Sequence, residues 1–262
     1  MHKIKSLLKS IAPRPILFAY RKICSLPEDF PWIVRFTFLK NPYAGFWKRI
    51  KIIFLCYRVS YSIECPHNEG EILRVISAIF SIPVESKAVI VEAGSYKGGS
   101  TSKLSLVARL AGKKLYVFDS FEGIPENREI HGRNIFGGAA HFNKGDYRGS
   151  LDEVRAAVSK FGDIEVCEFI KGWFEDTMPS FKEPVGVAYV DVDLQSSTKM
   201  CITFLYPLLV PTGRIFSQDG HLPLIIELLN DETFWEKEIG VKKPEMKGLG
   251  KIKLIEIKKI KS

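Results

Sequence analysis

No apolar run in this sequence is long enough to cross a bilayer, which takes about 18–20 residues. The longest candidates, Ile52–Tyr57 and Phe204–Val210, fall far short. Cysteine is scarce and unpatterned: Cys24, Cys56, Cys65, Cys167 and Cys201 are odd in number and show neither Cys-x-x-Cys nor metal-ligand spacing. That excludes a disulfide framework and a cysteine-built zinc site, and it predicts reduced, mostly buried thiols in a reducing cytoplasm. The start, Met1 to Lys9, is basic, but Lys9 and Pro13 interrupt any apolar stretch, so no leader peptide is expected. Internal repeats and low-complexity tracts are absent. With hydrophobic residues at 46% and charged residues at 26%, neither a disordered chain nor a multispanning membrane protein fits.

Acid is what the two ends lack. Residues 1–60 hold 12 Lys or Arg against Glu28 and Asp29, and residues 242–262 hold 8 Lys against Glu245 and Glu256. The overall charge of +8 therefore conceals an acidic middle between basic ends. Two readings of those ends stay open. One is contact with phospholipid headgroups, at the inner membrane surface, or with a polyanionic glycan or nucleic acid; the other is a solvated basic face. Nothing in the pattern indicates specific nucleic-acid recognition.

Residues 1–65 form a basic, aromatic-rich extension punctuated by Pro13, Pro15, Pro27, Pro31 and Pro42. Those prolines predict short helices in place of long ones, serving as a lid, a dimer arm or a surface contact. From Glu69 the periodicity turns regular: Ile72, Val75, Ile76 and Ile79 share a helix face that Pro83 ends. Apolar strands follow at 88–92, 115–119, 164–170, 185–191 and 214–217, with helices near 100–111, 150–161, 197–210 and 222–230. Strict alternation implies right-handed βαβ units and a parallel sheet covered on both faces, over a domain spanning 66–262. The tail, Lys251–Ile260, alternates Lys with Ile or Leu, which suits an antiparallel edge strand.

The first chemical motif runs Val89-Ile-Val-Glu92-Ala-Gly94-Ser95-Tyr96-Lys-Gly98-Gly99-Ser100-Thr101. It reads as a strand, a glycine turn and a helix start, so backbone and exposed amides can approach a polar ligand. The step from Gly94 to Gly98 departs from Gly-x-Gly-x-x-Gly and argues against a nicotinamide oxidoreductase. Strand-end acid followed by Gly-x-x-x-Gly is the adenosylmethionine pattern, in which Glu92 faces the cationic end of the ligand. One βα unit later, Asp119-Ser120-Phe121-Glu-Gly123 places an acid to accept from both ribose hydroxyls, or else to cap a helix. Gly172, Trp173 and Phe174 follow the next strand and lie either at an adenine pocket or in the core.

A further constellation joins Asp191-Val-Asp193-Leu-Gln195 to Gln218-Asp219-Gly220-His221 at neighbouring strand ends. Hard oxygen ligands of this kind suit Mg²⁺, which lowers the pKa of a substrate hydroxyl. The same aspartates also serve as strand-end caps. His141, in the long loop 125–148 that also holds His131, and His221 are candidate bases by their ordinary pKa near neutrality; solvent-exposed loop histidines are the other reading.

Taken together, these motifs with Lys171-Gly-Trp-Phe-Glu-Asp-Thr-Met-Pro179, Ser197-Thr198 and Leu205-Tyr-Pro207 resemble the macrocin and mycinamicin sugar O-methyltransferase family, over residues 88–230. That family includes the novobiocin noviose methyltransferase. The resemblance implies a Rossmann-like class I methyltransferase with a mostly parallel seven-stranded sheet, an S-adenosylmethionine donor, a divalent metal, and a hydroxyl on a sugar or glycosylated small molecule as acceptor. By it, Asp191 and Asp219 match metal ligands, to which Gln218 can add a carbonyl oxygen, and Asp193 matches a general base. Gln218 departs from the family, which has the first of two adjacent aspartates there, so one negative charge is missing; Gly220 stands where tyrosine is common. A non-catalytic adenosylmethionine-binding module that uses its basic ends, and a homo-oligomer, are the remaining alternatives.

Overall fold

The computed structural model describes the backbone of residues 14–260 and the side chains of residues 24–260. The leader exclusion at Met1–Lys9 and the break at Pro13 lie outside the described residues. Two helices come first, α1 (Arg14–Thr37) and α2 (Phe46–Ser62), followed by α3 (Glu69–Ile79). Then the chain alternates through β1 (Val89–Ala93), α4 (Gly99–Ala111), β2 (Leu115–Asp119), α5 (Leu151–Phe161), β3 (Cys167–Lys171) and a single turn, α6 (Phe174–Thr177). It continues through β4 (Val185–Val190), α7 (Gln195–Leu208), β5 (Leu209–Ser217), α8 (Pro223–Asn230), β6 (Met246–Lys247) and β7 (Ile255–Lys258).

The seven strands form one sheet in the order β3-β2-β1-β4-β5-β7-β6. All pairings from β3 to β5 are parallel, and β7 lies antiparallel to β5 with the two-residue β6 outside it. The antiparallel C-terminal strand thus stands at this end of the sheet, although only Ile255–Lys258 of the alternating tail pairs. Every residue of β1 and β4 is buried, because helices cover both faces. On one face Ile90, Val117 and Val187 pack against Ile72, Val75, Ile76 and Ile79 of α3 and Leu104 of α4. On the other, Val91, Ala188 and Val190 meet Cys201, Ile202 and Leu205 of α7 and Ile225 of α8. No helix among the described residues is long and apolar enough to cross a membrane.

The expectation of short helices in the extension is corrected. Helix α1 runs through Pro27 and Pro31 without ending. Each proline removes one backbone hydrogen bond, but Asp29, buried between them, accepts from Ser25 Oγ (3.0 Å), Gly70 N (2.6 Å) and Tyr57 Oη (3.2 Å). Tertiary bonds and the packing of Phe36 against Phe80 outweigh the local loss. Pro42 does fall in the turn before α2. Residues 164–166 form a 3₁₀ turn, so β3 begins only at Cys167.

Candidate active site

Between β1 and β4 the strand order reverses direction, and the loops leaving the two strands diverge. A crevice opens there at the carboxyl ends of the strands, as in other open α/β sheets. It holds a cavity of about 310 Å³ whose walls come from the loops after β1, β2, β3, β4 and β5. Gly94, Ser95, Tyr96, Gly99, Ser100, Asp119, Ser120, Gly172, Trp173 and Asp191 all line it. Phe121 stands behind the wall, as do Glu92 and Thr101, both fully buried.

Asp119 organises one side of the cavity. Its carboxylate accepts from Ser95 N (2.7 Å), Ser95 Oγ (2.9 Å) and Phe121 N (2.7 Å), tying the loops after β1 and β2 together. Burial raises its pKa despite these bonds. Glu92 is fully buried and is not among the residues that line the cavity; burial pushes its pKa up to about 7, against the opposing hydrogen bonds of Ser100 and Thr101 at the start of α4. Gly94 has φ +86°, and a Cβ there would lie 2.0 Å from the Asp191 carbonyl oxygen. Only glycine lets the loop after β1 rest against the loop after β4.

On the other side, carboxylate oxygens of Asp191, Asp193 and Asp219 lie within 4.8 Å of one another. Val192 N and Asp193 N each donate to Asp219 at 3.1 Å, and Tyr189 Oη donates to Asp191 at 3.2 Å. Burial, and then the mutual repulsion of the carboxylates, holds Asp191 and Asp193 well above the usual range; burial brings Asp219 to about 6. Gln218 donates its amide to Glu71 (2.9 Å), leaving its buried Oε1 with no hydrogen-bond partner among the described residues. Three crowded carboxylates and an orphaned amide oxygen fit a divalent cation in donor chemistry.

His141 and His221 both line the cavity; His131 is buried behind it. His221 stacks on Phe136 (5.9 Å), and burial lowers its pKa to about 4, so it stays neutral at pH 7. The loop 125–148 covers the opening and is latched by Glu129, whose carboxylate accepts from Gln195 N (2.6 Å) and Ser196 N (2.9 Å) at the start of α7. His131 Nε2 lies 3.5 Å from the same carboxylate. Burial alone opposes its charge, yet these partners hold its pKa down to about 2. Tyr96, Tyr147 and Asp193 line the cavity with positive φ (47°, 54° and 60°), a conformation rare for such residues and concentrated at functional sites.

Sequence reasoning missed two parts of the wall. Glu64 to His67, at the end of the extension, form one side, with Cys65 packed so tightly on Gly99 that no Cβ fits there. Lys253 forms another; the alternating tail disguised it as one face of a strand, whereas it precedes β7, and its charge partly offsets the upward shift of Asp191 and Asp193. For His67 and Cys65 no sequence signal existed.

Known proteins resemble this chain in sequence and in fold. The 8-demethyl-8-(2,3-dimethoxy-alpha-L-rhamnosyl)-tetracenomycin-C 4'-O-methyltransferase of Streptomyces olivaceus is 30% identical over 178 residues, 62% of this chain and 63% of that protein. Mycinamicin III 3''-O-methyltransferase of Micromonospora griseorubida is 27% identical over 149 residues, 54% and 59% of the two chains. This chain thus spans less than two thirds of the length of the curated relatives it matches. In fold it is similar to the O-methyltransferase NovP, with a TM-score of 0.61 at 22% identity over 73% of this chain and 80% of that one. CalS11, a calicheamicin methyltransferase, gives 0.56 at 16% identity over 88% and 93%. The sequence profile of the Macrocin-O-methyltransferase (TylF) family matches residues 75–232, more than half of the chain, and the protein belongs to that family.

Proposed function

We propose that this protein is an S-adenosylmethionine-dependent O-methyltransferase that acts on a hydroxyl of a sugar or glycosylated small molecule, assisted by a divalent cation. One observation carries the reading: an adenosyl-type donor wall and a hard-oxygen cluster face one another across a single cavity. Relatives named for methylation of a rhamnosyl antibiotic and of mycinamicin support the acceptor class.

On the donor side, Asp119 accepts from the ribose hydroxyls while the amides of Gly94 to Tyr96 and the start of α4 hold the amino acid end. Gly172 and Trp173 bound the adenine. Adenosylmethionine supplies a methyl group on a sulfonium, which becomes a neutral thioether as the acceptor oxygen forms the new C–O bond. Asp191, Asp219 and the Gln218 carbonyl oxygen would hold Mg²⁺, which supplies a Lewis acid to acidify the acceptor hydroxyl. Asp193 takes the hydroxyl proton, its carboxylate lining the cavity within 4.8 Å of those of Asp191 and Asp219. His141, also on the cavity wall, is the alternative acceptor. The loop 125–148 excludes water and supplies the acceptor contacts.

Calorimetric titration with adenosylmethionine and adenosylhomocysteine, each with Mg²⁺ and with chelator, tests the reading. Micromolar binding that Asp119→Ala weakens at least about tenfold is expected, since hydrogen bonds to a charged group contribute about 1.5–3 kcal/mol. Rhamnosyl and other deoxysugar acceptors should then yield adenosylhomocysteine. Absence of binding under every condition rejects the proposal.

A further inference from the structure

Helices α1 and α2 turn apolar faces outward. On α1, Leu26, Phe30 and Val34 recur at four-residue steps, and Phe38 follows the helix end; all are exposed. On α2 the exposed stripe is Trp47, Ile50, Phe54 and Tyr61. Phe30, Phe38, Trp47 and Phe54 leave 63%, 70%, 80% and 67% of their surface in water. Phe46 joins the two stripes, its ring 6.1 Å from Phe38 and 5.2 Å from Trp47. Single exposed aromatics are ordinary, but a continuous aromatic face on two neighbouring helices marks a surface that meets a partner.

The charges around it identify that partner. Arg35, Lys40, Lys48, Lys51 and Arg58 are exposed on the same two helices and the turn between them, whereas Glu28 is the one exposed acid among residues 24–62. In sequence, Lys3, Lys5 and Lys9 precede this region with no acid before Glu28. Two copies pairing these faces about a twofold axis would bring like charges together. Anionic headgroups satisfy both features at once: aromatic rings settle at the boundary between headgroup and acyl chain, and lysines and arginines meet phosphates. Because neither helix is apolar enough to span, the contact lies in the plane of the surface.

We propose that the outer face of α1 and α2 docks on an anionic phospholipid bilayer. The inference stands independently of the methyl-transfer reading, since none of these side chains lines the cavity.

The test is co-sedimentation of the full chain, at moderate salt, with vesicles of phosphatidylglycerol and phosphatidylcholine and with phosphatidylcholine alone. The wild type should bind the anionic vesicles and leave the neutral ones. Trp47→Ser with Phe54→Ser should lower partitioning at least about tenfold, as should Lys48→Glu with Lys51→Glu. An unchanged thermal midpoint in both double variants shows that the fold is retained. Failure of the wild type to bind overturns the proposal, and so does binding indifferent to Trp47 and Phe54. A wild-type dimer in light scattering that ignores vesicles and is split by the Trp47/Phe54 pair assigns the face to a second copy instead.

Discussion

Individual residues set how the two halves of the cavity meet. Gly94 is the clearest case, because its positive φ and its backbone contact with Asp191 leave no room for even a methyl group. Gly94→Ala should cost about 4 kcal/mol or more, the range reserved for forced backbone rearrangement, and should abolish adenosylmethionine binding. Denaturant midpoint and calorimetry read the two effects. The acidic cluster predicts a different response: if it holds Mg²⁺ as proposed, the ion would relieve the repulsion among Asp191, Asp193 and Asp219, so adding it should raise the thermal midpoint. Asp219→Asn should remove that rise. At this scale the sequence revealed the acids and glycines but not their orientation. Glu92 matched the motif yet is fully buried beside Ser100 and Thr101 at the start of α4, outside the cavity lining.

Elements carry the energetics that position the site. Lys103 of α4 is fully buried and donates to Glu69 of α3 (2.9 Å) and to Ser60 of α2 (2.6 Å), with His67 Nε2 at 2.9 Å. One ammonium therefore fastens three helices beside the cavity wall. Lys103→Met should cost about 3–5 kcal/mol, as breaking a buried ion pair does, seen as a lower denaturant midpoint. The Glu129 latch gives a pH test. Its folded pKa of about 2 lies below the ordinary 4.5, so its stabilisation is complete above 4.5 and fades as pH falls towards 2. Thermal midpoints of the wild type and Glu129→Gln should differ by a constant amount at neutral pH and converge across that acid window. Helices α3, α4, α5, α7 and α8 were legible because apolar periodicity reflects burial directly. Helix α1 was not: Pro27 and Pro31 speak against it locally, and the bonds to Asp29 that rescue it come from residues 57 and 70.

At the scale of the whole molecule, alternation of strand and helix was sufficient to read the parallel sheet, and the family motifs its topology. Lys253 and the segment from Glu64 to His67 reach the cavity from opposite ends of the chain, and no local pattern encodes such a meeting. Strand order has a consequence for how the chain comes into being. β1 pairs with β2 on one side, soon after synthesis, but its other partner, β4, begins only at Val185. During that interval the nascent protein presents an open strand edge, apolar but for Glu92, the kind that invites pairing with other chains. The crevice closes only when β4 arrives, bringing Asp191 against Gly94. Assembly of the cavity and protection from aggregation are therefore the same late event.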